Sequence, residues 1–190
     1  MLCRACSESF PQHDAAVAVP LPVERAWALA LFQGPARRLL IDLKYAGVLR
    51  AGVMIGTRMG SAPGARSVLA GTDLVVPVPL HWRRRWRRGH NQAAVLARAL
   101  CRQQPELRFV PALWRRRATA PQVGQPRERR LLNVTGAFAL RARHRDTVSG
   151  RTVVLVDDVI TTGATSVEAA CCLLAAGAAD VRVYAAAWSQ

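Results

Sequence analysis

Along the chain, short dense apolar runs alternate with segments whose apolar residues recur every three or four positions, as strands alternating with helices do. PARRLLIDLKYAGVLRAGVMIG, from Pro35 to about Gly60, has apolar residues at helical spacing behind a proline and predicts one or two helices. Gly52, Gly56 and Gly60 recur within it every four residues. Arg50 and Arg58 and the shortness of the run argue against a membrane pairing motif, so the reading is close helix packing. TDLVVPVPL (residues 72–80) predicts a buried strand that ends at its prolines. HWRRRWRRGHNQAAVLARALCRQ follows as a basic loop and then a helix with Asn91 near its start, and LRFVPAL predicts a short strand. WRRRATAPQVGQPRERRLLN is a long polar segment with two prolines, a length that usually marks a functional or disordered loop. GAFALRA and TVVLVDD predict strands, TTGATSVEAACCLLAAGAA a helix ending near Gly177, and VRVYAAAW a last strand. Apolar strands between helices imply an α/β fold, a mainly parallel sheet with helices on both faces.

Composition narrows the class. Half of the 190 residues are hydrophobic, ample for one core, and no apolar run reaches the ~18 residues of a membrane-spanning helix. MLCRACSESFPQHD has no apolar stretch of the signal-peptide kind, which makes a cytoplasmic location the expectation. Five cysteines without regular spacing argue against a disulfide framework. The net charge of +15 is concentrated: residues 81–130 hold 14 arginines against Glu106 and Glu128, a local balance of +12. Such a block attracts phosphates, pyrophosphate or nucleic acid. Lys44 is the one lysine among 27 basic residues.

VVLVDDVITTGAT (residues 153–165) runs a buried strand into two adjacent acids and then into a loop of small residues opening a helix. Ligands of parallel sheets bind beyond the carboxyl ends of the strands. There, the backbone N–H groups and hydroxyls of Thr161, Thr162, Gly163, Ala164 and Thr165 suit a phosphate dianion. Asp157 and Asp158 beside such a cradle are electrostatically awkward unless both touch one ligand. A ribose 5-phosphate satisfies both, its vicinal hydroxyls donating to the acids. The competing readings are metal-binding acids of a nucleotide-hydrolase type, a dinucleotide site, and an ordinary capped helix with solvated acids. GxxxxGK[ST] and GxGxxG are both absent, which disfavours the first two.

These thirteen residues resemble the phosphoribosyl pyrophosphate (PRPP) motif of type I phosphoribosyltransferases. VVPVPLHWRRRWRRGHNQAAVLARAL, RATAPQVGQPRERRLLNVTGAF and AGAADVRVYAAA further resemble the ComF family of competence-associated proteins, also called amidophosphoribosyltransferase-like. The resemblance implies a type I phosphoribosyltransferase-like fold over residues 26–190. In it Asp157 and Asp158 act at the ribose diol as the catalytic pair, and Thr161 to Thr165 hold the 5-phosphate. It also implies a pyrophosphate loop at residues 79–92 with Arg88, Gly89, Asn91 and Gln92 in an RGxNQ pattern, His90 standing where the family usually has an aromatic. A flexible loop over residues 115–133 would include Arg117, Thr119, Gln122, Arg130 and Asn133, with Gln125 in place of the usual leucine. Mg2+ would arrive with PRPP, bridging pyrophosphate and ribose oxygens with few protein ligands.

ComF relatives carry a four-cysteine zinc ribbon made of two CxxC pairs. Residues 1–25 resemble its remnant: Cys3 and Cys6 match the second pair, and Zn2+ binding would require a further CxxC upstream, since a structural zinc wants four ligands. The functional reading is a PRPP–magnesium-binding protein, with phosphoribosyl transfer to an unidentified acceptor and a link to DNA uptake. Two alternatives stand beside it. One is a single-stranded-DNA-binding competence factor, using the arginines and interleaved Trp82, Trp86 and Trp114 and working with partners in the uptake machinery. The other is a regulatory module that senses PRPP without chemistry.

Overall fold

The computed structural model describes residues 10, 13–117 and 135–189, with backbone alone at 84 and 85. Cys3 and Cys6, and Thr119, Gln122, Arg130 and Asn133, lie outside the described residues.

The elements run β1 (Ala15–Ala16), β2 (Ala26–Leu31), α1 (Gly34–Tyr45), α2 (Leu49–Ser61), α3 (Ala65–Leu69), β3 (Leu74–Pro77), α4 (Trp82–Arg88), α5 (Gln92–Cys101), β4 (Arg108–Phe109), β5 (Leu113–Arg115) and β6 (Phe138–Leu140). A 3-10 turn (Ala142–His144), α6 (Arg145–Val148), β7 (Thr152–Ile160), α7 (Ala164–Leu174) and β8 (Asp180–Trp188) complete the chain. One sheet has the order β1-β2-β8-β7-β3-β4, parallel throughout except for β1. β5 and β6 pair antiparallel in a separate ribbon.

The period of two along β7 divides the core. Val153 and Leu155 pack on the face covered by α7, with Ala169, Ala170 and Leu173. Val154 and Val156 pack on the opposite face with Leu40, Leu43, Ile55 and Leu96 of α1, α2 and α5. A strand apolar at every position is what burial on both faces demands.

The two crossovers flanking the centre diverge. From β3 the chain passes through α5, on one face, outward to β4; from β7 it passes through α7, on the other face, to β8. Between β3 and β7 the sheet therefore switches winding direction, the place where parallel sheets open a crevice. β3 stops at Pro77, paired with Val156, while β7 runs on to Ile160 beside β8 alone. The strand thus outlasts its acids instead of ending at them, and Asp157 and Asp158 stand where one neighbour has departed.

Several expectations need correction. The basic loop is in part a helix, α4, since Trp82 and Trp86 at i, i+4 and helix-compatible arginines favour that conformation. GAFALRA forms β6, but in the ribbon with β5 and not in the main sheet. LRFVPAL splits between β4 and the start of β5. β2, unassigned from sequence, supplies the parallel neighbour of β8. Among the described residues no helix is long and apolar enough to cross a membrane.

Candidate functional site

A cleft of about 200 Å3 opens at the switch point. Asp157, Asp158 and Thr165 line it from the β7–α7 side, and Arg88, Asn91 and Gln92 from the β3–α5 connection. Six residues expected from two distant motifs thus meet. Thr161, Gly163, Ala164 and Thr165 line an adjoining hollow of about 30 Å3, shared with Asp157. Thr162 lines neither, and its Oγ1 is buried with no hydrogen-bond partner among the described residues. Gly89 faces a different cavity, and Arg117 is exposed and outside the cleft lining.

The acids are not equivalent. Alternation along β7 sends Asp158 toward α1, where its Oδ2 pairs with Lys44 Nζ at 3.0 Å. Asp157 lies on the α7 side, and its Oδ1 accepts the Asp158 backbone N–H at 2.8 Å. Burial, with the neighbouring Asp158 charge second, pushes the Asp157 carboxyl up to about 7, while that backbone N–H, Lys44 and Arg115 act in the opposite direction. Asp157 is therefore partly protonated near neutrality in the free protein.

This has a measurable consequence for stability. An aspartate in the unfolded chain titrates near 3.9, so folded Asp157 holds its proton across an interval where the unfolded chain has lost it. The stability linked to that proton is fully present below about pH 4 and is lost as pH rises through about 7. Asp157→Asn is expected to match wild type in thermal unfolding at pH 4 and to exceed it at pH 8 by roughly 1 kcal/mol or more, one pKa unit being worth about 1.4. Equal melting temperatures at pH 8 would contradict the burial argument.

Three cleft residues escaped the sequence reading. Lys44 and Tyr45 end α1, and Arg115 ends β5. The ring of Tyr45 carries the Arg88 guanidinium 5.2 Å from its centroid, and Arg88 Nη1 donates to Gln92 Oε1 at 3.3 Å. His90 Nε2 donates to the Leu43 carbonyl at 2.8 Å, tying the connection to the turn of α1 that presents Lys44. That bond gives His90 a role an apolar aromatic could not fill. Arg115, buried against Phe138 with its guanidinium 5.2 Å from the ring centroid, adds a third cation to the cleft. The one lysine in an arginine-rich chain was the available signal for Lys44; nothing local distinguishes Arg115 from its neighbours.

Local geometry holds the two loops in place. Asn91 immediately precedes α5, and its Nδ2, instead of capping the helix, donates to the Val78 carbonyl at 3.1 Å, closing the loop onto the end of β3. Gly163 sits at φ +76°, and a Cβ there would approach Val19 Cγ1 to 3.0 Å. Conformation and space both select glycine, and the turn leaves the N–H groups at the start of α7 directed out of the helix.

No family model matches the chain. It is 44% identical over 118 residues to DNA utilization protein YhgH of Escherichia coli (strain K12), an alignment covering 59% of this chain and 48% of that protein. It is 37% identical over 112 residues to competence protein F of Haemophilus influenzae, with the same two coverages. The chain thus spans about half the length of the relatives it matches. Among solved structures, the glutamine PRPP amidotransferase from B. subtilis, complexed with ADP and GMP, superposes with a TM-score of 0.50 at 22% identity, over 73% of this chain and 26% of that one. The likeness shows the fold. The resemblance to the ComF family and the expected α/β phosphoribosyltransferase-like architecture are both borne out.

Proposed function

We propose that this relative of competence protein F, with its phosphoribosyltransferase-like fold, binds PRPP at the β3–β7 switch point and transfers its phosphoribosyl group to an acceptor. One observation carries the reading: the acid pair and Thr165 share a single cleft with Arg88, Asn91 and Gln92. Ribose hydroxyls are matched by Asp157 and Asp158, the 5-phosphate by the loop from Thr161 to Thr165, and the pyrophosphate by Arg88 and the N–H groups beside it.

The free protein holds Asp158 with Lys44, and a bound diol donates to the same carboxylate. Transfer would form a bond from the acceptor's lone pair to C1 of the ribose as the C1–oxygen bond breaks, both electrons leaving with pyrophosphate and the acceptor's proton passing to solvent. Lys44, Arg88 and Arg115 are the cations placed to stabilise the departing charge. The two carboxylates suit a magnesium ion carried in on the ligand, since this ion keeps most of its coordination as water and phosphate; bound there, it would neutralise pyrophosphate.

Calorimetric titration tests the reading. PRPP with magnesium is expected to bind saturably, and ribose 5-phosphate, lacking the pyrophosphate contacts, at least about tenfold more weakly. Equal affinity for the two, or no heat with PRPP at millimolar concentration, would refute it.

A second reading is favoured by α4. Trp86 is 85% exposed, and the Arg83 guanidinium lies 5.3 Å from the Trp82 ring centroid. Arginine and bare indole together suit the stacked bases and phosphates of single-stranded DNA. Affinity for such a strand should fall steeply with salt; a flat dependence would remove the electrostatic basis.

A further inference from the structure

A second cavity, of about 650 Å3, lies on the far side of the β3–α5 connection, between α5 and the β5–β6 ribbon. Its size is that of a small-molecule site. Arg98, Arg115, Arg141 and Arg143 line it with Trp82 and Trp114, and no aspartate or glutamate does so among the described residues. Arg115 faces the acid cleft as well, but Arg98, Arg141 and Arg143 line only this cavity and, without a carboxylate in its lining, leave a positive field in a concave space, where fields concentrate. Arg141 Nε is buried with no hydrogen-bond partner among the described residues. Leaving such a donor unpaired costs about 1–3 kcal/mol, so the guanidinium is held beside the cavity by packing and not by a carboxylate.

The walls add a second requirement. Trp82 is 63% exposed and Trp114 43%, both large apolar rings facing open space. Arg98 stacks on Phe109 at 4.2 Å, which leaves the edge of its guanidinium plane free to meet acceptors. A phosphate alone satisfies the arginines and leaves the indoles wet; a planar ring alone does the reverse. We propose that this cavity binds a nucleotide, with the base against Trp114 and the phosphate held by Arg141 and Arg143. The ligand is either a free nucleotide or one unit of a nucleic-acid strand, since the two share this chemistry. The inference is independent of the PRPP reading, for none of Trp114, Arg141 and Arg143 lines the acid cleft.

The test is titration of the full chain, followed by intrinsic tryptophan fluorescence, with a nucleoside 5′-monophosphate, the parent nucleoside, inorganic phosphate and a short oligothymidylate. The monophosphate is expected to quench saturably and to bind more tightly than nucleoside or phosphate. Arg143→Gln and Trp114→Ala should each weaken it about tenfold, a charged hydrogen bond or a stacked base being worth ~1.5–3 kcal/mol. Arg141→Gln should do the same, and the more exposed Arg143 serves if that variant folds poorly. Arg50→Ala, exposed on α2 and outside the cavity, should leave monophosphate binding unchanged. A strand that binds at least about tenfold more tightly than the monophosphate, and loses that advantage in Trp114→Ala, assigns the cavity to nucleic acid, and any other result assigns it to the free nucleotide. Phosphate binding as tightly as the monophosphate, or unaltered affinity in both Arg143→Gln and Trp114→Ala, overturns the proposal. Loss of PRPP binding in cleft variants leaves it untouched.

Discussion

Asp157→Asn combined with Asp158→Asn is expected to weaken PRPP–magnesium binding by about 100-fold or more while the protein stays folded. A hydrogen bond to a charged group is worth ~1.5–3 kcal/mol, so two lost from a diol exceed the ~2.7 kcal/mol that 100-fold represents. The amides keep the shape of the side chains but offer one acceptor each and no charge. The single variants should differ, because the acids do. Asp158→Asn removes the ion-pair partner of Lys44, leaving that ammonium with Asp157 as its nearest acid. Asp157→Asn removes a carboxyl that burial already holds partly protonated near neutrality, so its own loss is the smaller at pH 6 and grows toward pH 8. Calorimetry of the three variants across that range reads both effects. A double variant that binds PRPP within a few-fold of wild type would remove the assignment.

The acid pair was legible in sequence because everything that defines it is contiguous: an apolar strand, two carboxylates, a small-residue turn and a helix. Its partners were not. Lys44 reaches Asp158 only because α1 packs on the face toward which alternate residues of β7 point, a relation of register and layer that no local pattern encodes. Arg115 enters the cleft because β5 leaves the main sheet to pair with β6, and an apolar run announces a strand without naming its partner. AWALAL in β2 was unreadable for a related reason. Six apolar residues without alternation fit a buried strand and a buried helical turn equally. α4 was missed because clustered arginine was read as solvated loop, although Trp82 and Trp86 share one helix face. The winding that makes the crevice depends on which face each crossover takes. Strand order and crossover direction are properties of the assembled core.

Gly56→Val is expected to cost about 3 kcal/mol and to lower the melting temperature by roughly 6–12 °C for a chain of this length. α2 and α5 cross at the glycines spaced by four. A Cβ on Gly56 would run into the Leu96 carbonyl oxygen and come within 2.7 Å of the Ala99 Cβ; on Gly60 it would meet the Gln103 Cβ at 2.7 Å. The opposing atoms at Gly56 are backbone and a methyl already on the backbone, so no rotamer change relieves the clash and the helices must separate. Gly52 differs, because the atoms it faces at 2.8–3.0 Å are side-chain ends of Val95 and Leu43, which can rotate. Gly52→Ala should therefore cost less than Gly56→Ala, although alanine improves helix propensity by about 1 kcal/mol at both. The consequence reaches the cleft, since α5 begins at Gln92, directly after Asn91. Pushing α5 from α2 shifts both residues relative to β7, so a Gly56→Val protein kept folded at low temperature should bind PRPP more weakly. Arg50→Ala, on the exposed side of α2, should change neither property. A Gly56→Val protein melting within 2 °C of wild type, by about the 1 kcal/mol that interval represents, would show that the crossing is looser than these contacts require.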